Sequence, residues 1–334
     1  MWISITFTTV VLIVVLYFTI NENTFVYIRR LNPIFLFLAF LLHLISLAFW
    51  GLRIQIMTRN LGYNVSFRYC FNLILANLFV GAITPAQAGG EPVRIHQLYR
   101  VGVPIGDSTA IVITERLFDA IVLGITGAVV IVLLGSLVAS PTSSTMIALY
   151  ISWVLMVVAI ALFLYAIRSP VTLKRVAKKL LSWSLRKWDV KRLDALLGRI
   201  DREVDNFHVS LSHFVQKGKG GIIGWPIVFT ALFWFSEFFT ASLILMGLGQ
   251  PPYVIQSFVA QIIIAIIMMI PLTPGGSGIA ELSATSLYGL FIPASIVGVF
   301  VVLWRVIFYY FHLIIGFVAG LAIIRREATT VKVE

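Results

Sequence analysis

Apolar runs of about 20 residues recur along this chain, each long enough to cross a hydrocarbon core of roughly 30 Å. They cover residues 2–20, 34–52, 108–138, 145–167, 222–248 and 295–324. Of the 334 residues 60% are apolar and 12% charged, against roughly half and a quarter in a soluble domain. With a mean hydropathy of +0.99, the pattern excludes a soluble enzyme and predicts an all-α polytopic membrane protein. The first run carries no basic n-region and no small-residue cleavage site, so it is expected as a retained helix, not a signal peptide. Cys70, the single cysteine, cannot form an intrachain disulfide.

Two further apolar stretches are interrupted. Residues 69–83 run into Thr84-Pro85-Ala86-Gln87-Ala88-Gly89-Gly90-Glu91, and residues 253–272 run into Thr273-Pro274-Gly275-Gly276-Ser277-Gly278 before a piece, 279–291, too short to cross. Lipid cannot satisfy the backbone groups that such breaks expose, so they belong inside protein or beside a polar cavity. The breaks share a register. An offset of 189 residues carries Thr84 to Thr273, Pro85 to Pro274, Gly89 to Gly278, Arg116 to Arg305 and Gly127 to Gly316. Two homologous halves, 1–140 and 141–334, are predicted.

Charge sets the expected orientation. Residues 168–219 hold 13 Lys/Arg and 5 Asp/Glu, most of the net +11, and the positive-inside rule places them and Arg325-Arg326 in the cytoplasm. Arg53, Arg59, Arg68, Arg94 and Arg100 are read with that side. The scheme closes with six transmembrane helices, both termini cytoplasmic, and two re-entrant broken-helix hairpins, 69–100 and 253–291, entering from opposite faces. Arg29 and Arg30 then fall outside. This is an inverted repeat, the architecture in which transporters bind substrate near the midplane between broken helices.

The break chemistry suits an anion. A helix starting at Ile279 aims unpaired N–H groups and the positive end of its dipole into the break. Gly89, Gly90, Gly275, Gly276 and Gly278 allow close backbone approach, and Thr84, Thr273 and Ser277 supply hydroxyls. Arg116 and Arg305 lie in apolar helices, where a charge costs from about 2.5 kcal/mol upward unless paired or wet. Glu91 and Glu281 are read as their acids, with Glu115, Asp119 and Glu237 as structural or coupling groups. Two readings stay open: structural ion pairs, or arginines that neutralise a lipid phosphate while the acids hold them or take a proton.

Other signals are bland. His43 and His312 are single histidines in apolar helices, and His208 and His213 do not share a helical face, so no metal site is expected. No Walker loop, zinc motif or nucleophile elbow occurs; no cofactor and no nucleic-acid partner is expected. Asn64-Val65-Ser66 matches a sequon by pattern only. Residues 168–219 read as an amphipathic helix with Leu193, Leu196, Leu197, Ile200, Val204, Phe207, Leu211 and Phe214 at three- and four-residue steps. It either lies on anionic headgroups or packs on the protein as a connector.

The stretch Asn77 to Asp119, with Thr84-Pro85, Gly89-Gly90-Glu91, Arg94, Gly102 and Glu115-Arg116-Leu117-Phe118-Asp119, resembles the membrane region of the lysylphosphatidylglycerol synthase/flippase family. Pro271-Leu272-Thr273-Pro274-Gly275-Gly276-Ser277-Gly278-Ile279-Ala280-Glu281 is similar to that family's second signature. Bifunctional members add a soluble aminoacyl-transferase domain; the chain ends at Glu334, so the resemblance implies the lipid-translocating part without the synthetase, and no enzyme activity. The expected function is movement of an anionic phospholipid or lipid-linked precursor between leaflets of the cell membrane. Expected partners are that lipid, a second copy of the chain and a lipid-synthesising enzyme. The rival readings are an intramembrane transferase or hydrolase using Glu91 or Glu281 as base, and a small-solute transporter.

Overall fold

The computed structural model describes residues 22–84, 89–137, 202–203, 205–210, 214, 220–268, 273 and 275–318, with isolated positions 6, 9, 13, 17, 154, 157, 158 and 161. Among them every regular element is helical, as predicted. The named helices are α1 Glu22–Arg29, α2 Pro33–Asn60, α3 Phe67–Ile83, α4 Gly90–Arg100, α5 Ile105–Leu137, α6 Gly220–Gly247, α7 Val254–Met268, α8 Ile279–Tyr288 and α9 Ala294–Arg305. The last continues through a π-helical segment, Val306–Tyr310, and on to Val318. Among the described residues three helices are long and apolar enough to cross a membrane: Pro33–Asn60, Ile223–Gly247 and Ala294–Val318. They match the runs 34–52, 222–248 and 295–324, and α5 coincides with 108–138. The runs 2–20 and 145–167, and most of 168–219, lie outside the described residues.

Both predicted breaks are present between short helices. Pro85 disfavours helical conformation at Thr84, and α3 ends at Ile83. Thr84 then stitches the break: its Oγ1 donates to Val80 O at 2.8 Å and accepts from Gly89 N–H at 3.0 Å. In the second break Gly275, Gly276 and Gly278 have φ of 59°, 67° and 82°, left-handed backbone that a Cβ makes costly by about 1–2 kcal/mol per residue. The sequence left open whether the breaks meet. They do: Gly275 N–H donates to Thr84 O at 3.0 Å, and a side chain at Gly275 would run into the Ala82 carbonyl.

The chain divides into two compact units. The first comprises Met1–Leu52, Phe67–Val93 and Ala231–Glu334. Its core joins Ala39, Ala241, Ile244, Leu245, Ala260, Ala280, Ala284, Tyr288, Ile296, Phe300 and Trp304. Alanines on α2, α6, α7 and α8 let these helices approach closely, the packing mode available where lipid tails are as apolar as leucine. Asn32 fixes the entry to α2: its Oδ1 caps Ile34 N–H at 3.0 Å, with Pro33 in the first helical position, while its own N–H donates to Gly247 O at 2.8 Å.

The second unit comprises Arg53–Ser66 and Arg94–Thr230. The start of α5 is held by polar side chains. Glu203 Oε2 accepts from Gly106 N–H at 2.6 Å, Ser210 Oγ donates to Asp107 at 2.6 Å, and the Tyr63 hydroxyl donates to the same carboxylate. Phe207 packs on Ala110 and Ile113. The described part of the predicted amphipathic segment is therefore a connector seated on protein.

Candidate functional site

Within the first unit, the glycine turn ahead of α8 surrounds a buried ion pair. Arg305 Nη2 donates to Glu281 Oε2 at 2.8 Å and to Gly276 O at 3.2 Å, and both side chains are at most 2% exposed. The guanidinium lies 5.1 Å from the Tyr309 ring centroid and 5.4 Å from that of Trp304, aromatic faces that favour a cation. This is the pairing the sequence suggested for Glu281 and Arg305. One detail of the α8 terminus differs from expectation. Glu281 Oε2 also accepts from Gly278 N–H at 2.6 Å, so a carboxylate of the chain itself occupies part of the anion position at the helix start. Three buried polar atoms around it have no hydrogen-bond partner among the described residues: Arg305 Nε, Glu281 Oε1 and Thr273 Oγ1. Buried polar atoms left without a partner cost roughly 1–3 kcal/mol each. Ser277 is fully buried in the same turn.

The first break supplies Thr84 and Gly89, already bonded to each other, and Gly90, which abuts the Asn77 side chain. Glu91 opens α4 and is half-buried.

In the second unit the candidate charges form a network of different composition. Arg53 donates from Nε to Glu115 Oε1 at 2.9 Å, and from Nη1 to Asp119 Oδ1 at 2.7 Å and Thr230 Oγ1 at 3.0 Å. Arg94 Nη1 reaches Glu115 Oε2 at 2.6 Å. Arg53 and Arg94 are each 1% exposed. They are not the surface charges the orientation argument assumed, which leaves Arg59, Arg68 and Arg100 exposed on that count. Arg116, the register match of Arg305, has a side chain 48% exposed and meets Asp119 at 3.5 Å. Burial therefore separates two arginines that the repeat equates. Arg53 was missed because the apolar run was ended at Leu52. Ile54, Ile56 and Met57 continue the helix past it, and that was the available signal.

A third cluster was invisible in the sequence. His43 Nδ1 lies 2.9 Å from Glu237 Oε1, His43 Nε2 lies 2.9 Å from His312 Nε2, and the Ser46 hydroxyl bonds the same glutamate. The histidines are 269 residues apart, so no local spacing could join them. Sequence reasoning had placed Glu237 among the coupling groups and had weighed His43 and His312 only as metal ligands. Among the described residues no group of three or more His, Cys, Asp or Glu is arranged to hold a metal.

Comparison with known proteins places the chain in a family. A family model described as the lysylphosphatidylglycerol synthase TM region matches residues 1–316. A UPF0104 membrane protein of Archaeoglobus fulgidus is 33% identical over 300 residues, 90% of this chain and 89% of the relative. A UPF0104 membrane protein of Methanocaldococcus jannaschii is 26% identical over 338 residues, covering 98% of each chain. One from Methanothermobacter thermautotrophicus is 29% identical over 263 residues, 76% of this chain and 75% of the relative. With a match over nearly its whole length, and with both helix breaks formed where the two signatures lie, this chain belongs to the family of the lysylphosphatidylglycerol synthase transmembrane region.

Proposed function

We propose that this protein moves lipid with an anionic headgroup between membrane leaflets, with the two helix breaks as the headgroup site. The carrying observation is their direct contact beside Arg305, whose Nε points into a buried turn with no partner among the described residues. A lipid phosphate is an oxyanion like the Glu281 carboxylate, and arginine binds both by paired N–H donors. Glu281 neutralises Arg305; an arriving phosphate takes Arg305 Nε–H and the Thr273 hydroxyl, which have no partner among the described residues.

The architecture we infer is six transmembrane helices with two re-entrant hairpins in an inverted repeat, 1–140 and 141–334. Supporting it are the helix lengths. At 1.5 Å per residue, the 10-residue α8 and 11-residue α4 extend only about 15 Å, half of a hydrocarbon core. Each is preceded by an apolar helix and a break, the construction that inverted-repeat transporters use at the midplane. The chain has no ATP-binding motif, so the transfer runs downhill or is coupled to an ion.

Transfer of a fluorescent anionic lipid and a neutral one, measured side by side in reconstituted vesicles, tests this reading. Wild type should move the anionic lipid faster. Arg305→Gln alone strands the Glu281 carboxylate at a cost of about 3–5 kcal/mol, so the decisive variant is the double Arg305→Gln/Glu281→Gln, which removes both charges. It should fold and lose about ten- to hundredfold of anionic transfer, the worth of a charge-assisted hydrogen bond. Half-exposed Arg116→Gln should fold as the wild type does. Equal transfer of both lipids by wild type, or full anionic transfer by the double variant, refutes the headgroup assignment.

A further inference from the structure

We infer that Glu237, His43 and His312 form a binding site for one exchangeable proton, and that loading it drives the lipid transfer proposed above. The coupling part rests on that transport reading; the proton site itself stands on geometry. Only one hydrogen fits between two imidazole Nε2 atoms 2.9 Å apart, and only one between His43 Nδ1 and Glu237 Oε1, also at 2.9 Å. The chain therefore has two self-consistent states. In the unloaded state the Glu237 carboxylate accepts from His43 Nδ1–H, and His43 Nε2 accepts from His312 Nε2–H. Adding a proton at His312 Nδ1 shifts each bridging hydrogen one place: the His312 Nε2 hydrogen moves to His43 Nε2, and the His43 Nδ1 hydrogen moves to Glu237. Glu237 is then neutral, both rings remain neutral, and the net charge of the cluster has risen by one. Neither state breaks a hydrogen bond, which is the condition for a relay in a medium where a lost bond is expensive.

The surroundings favour transfer over exchange with water. His43 is fully buried, and the rings of Phe308 and Phe311 stand 4.8 and 5.9 Å from it. Glu237 is held further by the Ser46 hydroxyl, which also reaches His43 O at 2.7 Å. The remaining ionisable groups on the packed elements are engaged or distant. Arg305 of α9 is held by Glu281 of α8. Arg53, ten residues along α2, is held by Glu115 and Asp119. Tyr310 shares a hydrogen bond with Thr9, Tyr309 lies under Arg305, and Arg29 of α1 is exposed. The route to the headgroup site is covalent. Arg305 and His312 sit on one helix, on either side of the π-helical Val306–Tyr310, a wide turn of the kind that marks functional positions and can re-phase the helix beyond it.

Two measurements decide the proposal. The first is nitrogen NMR of histidine-labelled protein in nanodiscs, with the two rings assigned through His43→Gln and His312→Gln. On acidification both rings should exchange the protonated nitrogen in one concerted step, and Glu237→Gln should abolish that step. Rings that keep one tautomer throughout overturn the proton site. The second is the steady-state leaflet distribution of a fluorescent anionic lipid in vesicles carrying a pH difference, with the membrane potential clamped by a potassium ionophore. One proton per lipid shifts the distribution by about tenfold per pH unit, and His312→Gln should remove that dependence. A wild-type distribution indifferent to the pH difference, or a His312→Gln protein that still responds, overturns the coupling. If wild type moves no lipid under any condition, the transport reading fails and the NMR titration alone rules on the proton site.

Discussion

Arg305 Nε has no hydrogen-bond partner among the described residues while Glu281 neutralises the guanidinium, and in the proposed reading that nitrogen is the donor kept for a headgroup. A fully satisfied pair would be structural only, and a buried pair contributes little net stability. In the second unit Arg53 and Arg94 converge on the two oxygens of Glu115, with Asp119 as a second acid, a network that links α2, α4 and α5. Glu115 and Asp119 were legible as intramembrane charges, whereas Arg53 and Arg94 were read with the cytoplasmic side. Their partners were not, because Arg53 and Glu115 are 62 residues apart and only the fold chooses among several acids. Tyr63 offers a titration at this scale. Burial first, and then its hydrogen bond to Asp107, push the phenol up to about 12 from 10. The folded state thus holds this proton more tightly than the unfolded chain does. Its contribution to stability is complete below about pH 10 and is lost as pH rises through about 12. An ultraviolet difference titration of wild type against Tyr63→Phe should place one phenol ionising near 12. An ionisation at 10 would show that the Asp107 anchor is open.

Helices carry the next level, and here the apolar pattern was a good guide. The breaks appear where Pro and Gly interrupt it, and α2, α6 and α9 follow the runs that announced them. The ends were less readable, since α2 continues eight residues past the run that stopped at Leu52, kept helical by Ile54, Ile56 and Met57. The π-helical Val306–Tyr310 had no signal in hydropathy, because widening a turn changes hydrogen bonding and leaves the apolar periodicity intact. Glycine supplies the test of element packing. A Cβ at Gly316 would press on the Leu75 carbonyl and on Phe79 of α3, whereas a Cβ at Gly224 of α6 meets open space. Gly316→Val should destabilise by about 1–3 kcal/mol, the usual cost of overpacking. Gly224→Ala should be neutral or gain up to about 1 kcal/mol from helix propensity. Thermal unfolding in detergent, followed by tryptophan fluorescence, distinguishes the two; equal midpoints would mean that α3 and the end of α9 are not in close contact.

For the molecule as a whole, a glycine-lined meeting point of two broken helices is expensive to build. Its polar atoms are buried and incompletely satisfied among the described residues, so stability alone does not account for it. Under the transport proposed above, a headgroup crossing the hydrocarbon core needs polar partners at the midplane and access from both leaflets. The sequence marked the two breaks through a single register; it could not reveal that they touch, because no local spacing joins Thr84 to Gly275. The most direct test supplies an anionic lipid with a photoactivatable headgroup to one leaflet at a time and maps the crosslinked peptides. Lipid from either leaflet should label the segment containing Gly275, Ser277 and Glu281, and unlabelled anionic lipid should compete where neutral lipid does not. Labelling confined to lipid-facing positions such as Leu282 and Phe317, or equal competition by neutral lipid, would contradict a headgroup site at the paired breaks.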